Sequence, residues 1–235
     1  MKNSMKNILY ILLFGCLAVS CQKELSFDPN NTTTPAIDFP NTNDSCFTCD
    51  YFPVCDSTQQ NYIDSMSGTV QTRTLLYDVK TDTVVNGITF KKILNLTDNT
   101  MNYYSCTNNV LKIYAPSSTS IGGTQASNIT QTPLKSNEPV GTNWKDVLQI
   151  NGATFEYRYT IIEKGITRQV LDSTYNNVIN VRDTAVTIVP LMGEVPFAVR
   201  NSYYARGIGL VEVRMIDLMS GQTSLVTQLK SYHFR

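Results

Sequence analysis

The chain has 235 residues, 19 Lys+Arg against 19 Asp+Glu, and is only 16% charged but 42% hydrophobic. Threonine fills 28 positions and asparagine 21, a bias toward strands and turns. Zero net charge without a long basic run excludes the clustered footprint of a nucleic-acid binder, and the lone histidine, His233, leaves little scope for imidazole as base or metal ligand.

The first seven residues carry Lys2 and Lys6 and no acid, and Ile8 to Ser20 runs apolar. That stretch is shorter than the roughly 18 residues a spanning helix needs, so it reads as a cleaved export signal. Leu17-Ala18-Val19-Ser20-Cys21 then places small residues before a cysteine, followed abruptly by polar Gln22-Lys23-Glu24. This resembles the lipobox of bacterial lipoproteins, which implies cleavage before Cys21 and acylation of that residue. Leu13-Phe14-Gly15-Cys16 is a rival, but cutting there leaves an odd number of cysteines downstream. Gln22-Lys23-Glu24 is similar in part to the surface-display signal of some Bacteroidetes lipoproteins, although Leu25 interrupts the acidic run. Loss of Lys2 and Lys6 with the signal leaves a mildly acidic mature chain. The segments expected are therefore a signal peptide at 1–20, a lipidated cysteine and flexible tether at 21–45, and one β-rich domain at 46–235. Pro29, Pro35 and Pro40 with an Asn/Thr run, and no apolar period, mark the tether.

Cys46, Cys49 and Cys55 cluster, with Cys106 as a distant fourth. An exported chain favours a disulfide framework, with three connectivities open. A metal or iron–sulfur site would want a second close pair, and a thioredoxin-like pair would need a strand before it and a helix after it. No metal or other cofactor is expected.

From Thr69 onward, apolar alternation recurs between turn signals. Leu75, Tyr77 and Val79 share a face. Asn86-Gly87 closes one hairpin, Thr107-Asn108-Asn109 a second and Asn151-Gly152 a third. Ala115 to Pro139 reads as a long polar connection. Phe155, Tyr157, Tyr159 and Ile161 alternate with Glu156, Arg158 and Thr160, and Lys164-Gly165 reads as a turn into Ile166 to Leu171. Val178 to Arg182, Ala185 to Val189, Gly207 to Ile216 and Ser224 to Phe234 follow. The expected fold is all-β with at most a minor helix: a meandering antiparallel sheet, curved or half-barrel, of about eleven strands.

The segment Asn201 to Glu212, with Tyr203-Tyr204-Ala205-Arg206-Gly207-Ile208-Gly209-Leu210, resembles a pattern of an uncharacterised Bacteroidetes lipoprotein family. Pro133-Leu134-Lys135 and Val140-Gly141-Thr142-Asn143-Trp144 resemble its upstream companion, and the cysteine cluster completes the likeness. The resemblance implies a β-rich domain at the bacterial outer membrane, facing the periplasm or the cell surface, and no particular activity. Gly207 and Gly209 lack the following helix of a phosphate site and read as a bulge or a close backbone approach.

Three functional readings follow. One is a non-enzymatic lipoprotein whose partners are membrane lipid through the acylated end and an unspecified protein, glycan or lipid. Its concave face would be lined by Phe155, Tyr157, Tyr159 and Tyr203, which could equally be core. In one form it is a carrier of lipid or another hydrophobic ligand with a half-barrel cup. A second is a purely structural envelope module. A third, an envelope hydrolase, would need a carboxylate pair such as Asp172 with Asp183; no enzyme is expected.

Overall fold

The computed structural model describes residues 46–47 and 49–233, apart from 67, 117–118, 122–123, 151 and 190–191. The signal segment, Cys21 and the tether lie outside these residues. Among the described residues sixteen strands run in chain order: β1 (Cys46–Phe47), β2 (Val54–Cys55), β3 (Gln59–Met66), β4 (Thr69–Val85), β5 (Ile88–Asn95), β6 (Thr100–Thr107), β7 (Val110–Ala115), β8 (Thr119–Ile121), β9 (Thr124–Ala126), β10 (Ile129–Lys135), β11 (Asn143–Ile150), β12 (Ala153–Val170), β13 (Ser173–Val189), β14 (Gly193–Ala205), β15 (Gly209–Asp217) and β16 (Thr223–His233). No helix occurs among the described residues.

Twelve strands form one antiparallel sheet in the order β10-β7-β6-β5-β4-β3-β16-β15-β14-β13-β12-β11, while β1-β2 and β8-β9 form separate pairs. Two meanders, β3 to β10 and β11 to β16, join where β16 pairs with β3 from Leu225↔Met66 to His233↔Gln59. The free edges, β10 and β11, are neighbours in sequence and come back together, so the sheet is a barrel closed except at one seam.

Side chains close that seam. Thr132 N–H donates to Asp146 Oδ2 at 2.5 Å, and Trp144 Nε1 donates to Thr132 O at 2.7 Å. Two side chains of β11 thus satisfy both backbone groups of one β10 residue, as a partner strand would. At one end of the seam Ile129 packs with Ile150 and Phe155. At the other, Lys164 Nζ donates to the carbonyls of Ser136 and Glu138, both at 2.8 Å.

Turn chemistry sets the register. Asn86 (φ 51°) and Gly87 (φ 75°) supply the two positive φ angles that pair Val85 with Ile88, and Asn108 and Asn109 do the same between Thr107 and Val110. The third expected hairpin pairs Ile150 with Ala153.

The stretch expected as a connection, Ala115 to Pro139, contains β8, β9 and the edge strand β10. Pro133 hid that strand. It sits where the β10–β7 register shifts between Gln131 and Leu134, an edge bulge that needs no N–H from it. Lys164-Gly165 is no turn: β12 runs through it with three register shifts, and the reversal comes at Leu171-Asp172, where Val170 pairs with Ser173. The two strands expected over Val178 to Val189 are one, β13. Beyond Ile161 the β12–β13 arm bends back, because Arg168 reaches Glu212 on β15, three strands away.

Candidate functional site

Residues Cys49 to Cys55 plug one end of the barrel. Cys49 is disulfide-bonded to Cys106 on β6, with Cα atoms 6.1 Å apart. Cys55 is disulfide-bonded, and β1–β2 pairing sets the backbone of Cys46 opposite it. Phe52 and Val54 are buried below, Phe52 stacking on Tyr104 with centroids 5.2 Å apart. Asp50 O accepts from Gly207 N at 2.7 Å, and Asp50 N donates to Asn109 Oδ1 at 3.1 Å, so the plug grips turns on both meanders. Gly209 permits the fit: at φ +106° its Cβ would stand 3.4 Å from Gln60 Nε2. The β14–β15 register shifts at Tyr203/Tyr204, where Val211 is the extra residue, so the bulge lies just past the glycines, which serve the turn and the close approach.

Beneath the plug the interior is polar and tyrosine-rich. Gln60 Oε1 accepts from the hydroxyls of Tyr62 (2.9 Å) and Tyr77, while its Nε2 donates to Ile208 O at 3.0 Å. Burial pushes both phenols above their usual range, so they remain neutral donors. Arg73 holds the Asp64 carboxylate at 2.7 and 3.2 Å and lies 5.0 Å over the Tyr62 ring, and Thr227 Oγ1 donates to Asp64 Oδ1 at 2.6 Å. Burial alone would raise the Asp64 carboxyl; the Arg73 and Thr227 hydrogen bonds, with the Arg73 charge, outweigh it and hold Asp64 below the usual range. Farther round, Arg200 Nε donates to Asp183 Oδ2 at 2.8 Å. Here burial wins, and the Asp183 carboxyl stands above its usual range. Burial, then the nearby Asp146 carboxylate, pushes the Tyr159 hydroxyl above the usual phenol range, against the Arg200 charge.

A pocket of about 60 Å³ remains between Phe52, Tyr62, Arg73, Tyr77, Tyr104 and Tyr204. That is far below the roughly 300–1,000 Å³ of ordinary ligand pockets. An acyl chain does not fit in it.

The four aromatics expected to share a concave face do not. Phe155, Tyr157 and Tyr159 lie on one side of β12, where Tyr159 stacks on Trp144 at 5.3 Å. Tyr159 shares the row Asp183–Arg200, whereas Tyr203, three residues past Arg200, points to the opposite face. There Arg168 lies 4.1 Å over the Tyr203 ring and, with Arg214, clamps the fully buried Glu212 at 2.5 and 2.8 Å. Asp172 and Asp183 do not meet either. Asp172 sits exposed in the β12–β13 turn, while Asp183 is buried eleven residues on, at most roughly 35 Å along a strand that bends, and engaged by Arg200. One carboxylate in water and one buried against an arginine do not flank a shared cleft, as a glycosidase pair must. His233 is exposed at the end of β16. Sequence reasoning missed Gln60 and Asp64 on β3, which carry much of the interior polarity. Their period-2 spacing with Tyr62 was the available signal.

The outer wall is charged. The buried Glu156 carboxylate is held by Lys145 at 2.7 Å and by Arg158 at 2.7 Å, and Arg158 continues to Glu194 at 2.6 Å. A wall of this kind is unlike the apolar band of a membrane-spanning barrel.

No family model matches the sequence, and no curated protein matches it. Two solved structures are similar to it. One is a protein from Bacteroides fragilis described as exported and as having a YmcC-like fold, at 10% identity over 79% of this chain and 100% of that one, TM-score 0.48. The other is a protein from Parabacteroides distasonis described as a lipoprotein, at 12% identity over 78% of this chain and 98% of that one, TM-score 0.47.

Proposed function

We propose that this chain is a lipoprotein of a bacterial envelope, acylated at Cys21 and carrying a non-enzymatic β-barrel module on the tether 21–45. The observation that carries the reading is one of compartment: an export and acylation segment precedes a barrel whose plug is crosslinked by Cys49–Cys106. Such bonds persist where the environment is oxidising, outside the cytosol. Membrane lipid is the partner through the acyl chains, the outer membrane is the location, and no cofactor takes part. The interior suits a scaffold, since Asp64 and Asp183 are each engaged by an arginine rather than poised on a cleft. The pocket of about 60 Å³ under the plug is too small to serve the carrier alternative.

Metabolic labelling with palmitate, in wild type and in Cys21→Ser, tests the reading. Label should enter the wild type and be absent from the variant, which should accumulate as unprocessed precursor. An unlabelled wild type, or a labelled variant, would overturn it.

A further inference from the structure

The two ends of the barrel differ. The plug, with Cys49, Phe52 and Val54, occupies the end reached by the β6–β7 and β14–β15 turns. Because consecutive strands alternate direction, the β3–β4, β5–β6, β13–β14 and β15–β16 turns all lie at the other end. Exposed apolar side chains occur at both ends, with Val84 and Val140 at the plugged one, but the two most exposed, Met192 and Met219, stand here: Met66 and Val70 flank the first of these turns, Leu96 lies in the second, Met192 in the third, and Leu218 with Met219 in the fourth. Met219 is 81% exposed, Met192 76% and Val70 67%.

These tips are presented by ordered backbone. Asp217 Oδ1 accepts from Met219 N at 2.8 Å and from Ser220 N at 2.9 Å, and Asp217 O accepts from Gly221 N at 2.8 Å. Leu218 N is tied to Phe197 O at 3.0 Å, and Met192 N to Val189 O at 3.2 Å. The turns are braced while their methionine tips stay exposed.

We propose that this rim is a lipid-contact surface, its tips entering the outer acyl region of the bilayer that holds the anchor. The proposal rests on the Cys21 anchor of the preceding section. Neighbouring hairpin tips stand about 10 Å apart, two strand spacings, with polar backbone between them. Separate pegs of this kind suit a fluid phase that wets each one. A protein partner would require a continuous, complementary apolar core. Methionine, unbranched and flexible, fits an irregular apolar medium. Reach is sufficient as well. The residues between Cys21 and Cys46 extend to at most about 80 Å, against about 55 Å for the 17 residues of β13. The tether therefore lets the rim, and not only the plugged end, meet the membrane.

The test uses the full-length lipidated protein in vesicles of phosphatidylethanolamine and phosphatidylglycerol with brominated acyl chains. Met219→Trp places a reporter on the rim, Leu218→Trp a second on the same turn, and Val140→Trp a control in the β10–β11 turn at the plugged end. Wild-type emission from Trp144 is the background. Rim reporters should shift to the blue and lose about half their intensity to bromine, as expected for side chains lying about 5–10 Å into the interface, while the control stays unquenched. Unquenched rim reporters overturn the proposal. Blue-shifted but unquenched ones do so in favour of a second copy or another protein, and equal quenching at both ends removes any preference for the rim. Palmitate on the same preparation reads the anchor separately. Label without rim quenching overturns this proposal alone, and missing label overturns the anchor reading beneath it.

Discussion

Removing the plug's crosslink is the most quantitative challenge to this structure. In Cys49→Ser/Cys106→Ser the folded chain keeps Phe52 and Val54 beneath the plug, so the main loss falls on the unfolded state. The bond spans 57 residues, and loop-closure entropy for that length is worth about 4 kcal/mol at 25 °C. Such a loss is about a quarter or more of the roughly 5–15 kcal/mol that stabilises a typical domain. Urea unfolding followed by Trp144, the single tryptophan, reports it directly because that ring stacks on Tyr159 at the seam. With an m-value of about 2–3 kcal/mol/M the midpoint should fall by roughly 1.5 M at unchanged m. A midpoint that moves by less than about 0.5 M would refute the reasoning, since the plug would then be held without its bond.

Further expectations concern the seam, the glycine at the plug and the interior charges. Asp146→Ala strips Thr132 N–H of its acceptor; it should cost about 1–3 kcal/mol and speed amide exchange along β10 before other strands, as hydrogen-exchange mass spectrometry would show. Gly209→Ala should cost about 1–3 kcal/mol in the same urea assay, because φ +106° lies in a region that a residue with a Cβ rarely adopts. Asp64 is held below its unfolded value, so its contribution is present above about pH 4 and fades as pH falls through the depressed folded value. Acid titration of Asp64→Asn should therefore show a flatter acid limb than wild type. Asp183, held above its unfolded value, works the other way, its burden easing as pH falls through the raised value, so Asp183→Asn should steepen the net acid loss.

Elements with one apolar face and a two-residue turn were legible in the sequence. Leu75, Tyr77 and Val79 alternate into the core, and Asn86-Gly87 closes their hairpin where expected. What failed has a physical pattern. β3 faces inward with Gln60, Tyr62 and Asp64, so a polar interior erased the apolar alternation that would have revealed it. β10 carries Pro133 at a bulge, and β14 carries Pro196 where its register with β13 shifts. Gly165 mimics a turn because a bulge demands the same positive φ, here 72°. Closure was invisible for another reason. It depends on β16 meeting β3 and on Asp146 and Trp144 completing Thr132, contacts between segments far apart in sequence or between side chains. The cysteine cluster was recognisable as crosslinking material, but the Cys49–Cys106 pairing needed the geometry of β6 and the plug.

The most direct measurement is the native mass of the protein extracted from its own membranes in mild detergent. An anchored, filled barrel predicts the mass of the chain from Cys21 onward plus acyl groups, with no further adduct surviving gentle activation. A mass that includes the first twenty residues, lacks acyl groups, or carries a bound lipid-sized ligand would contradict it.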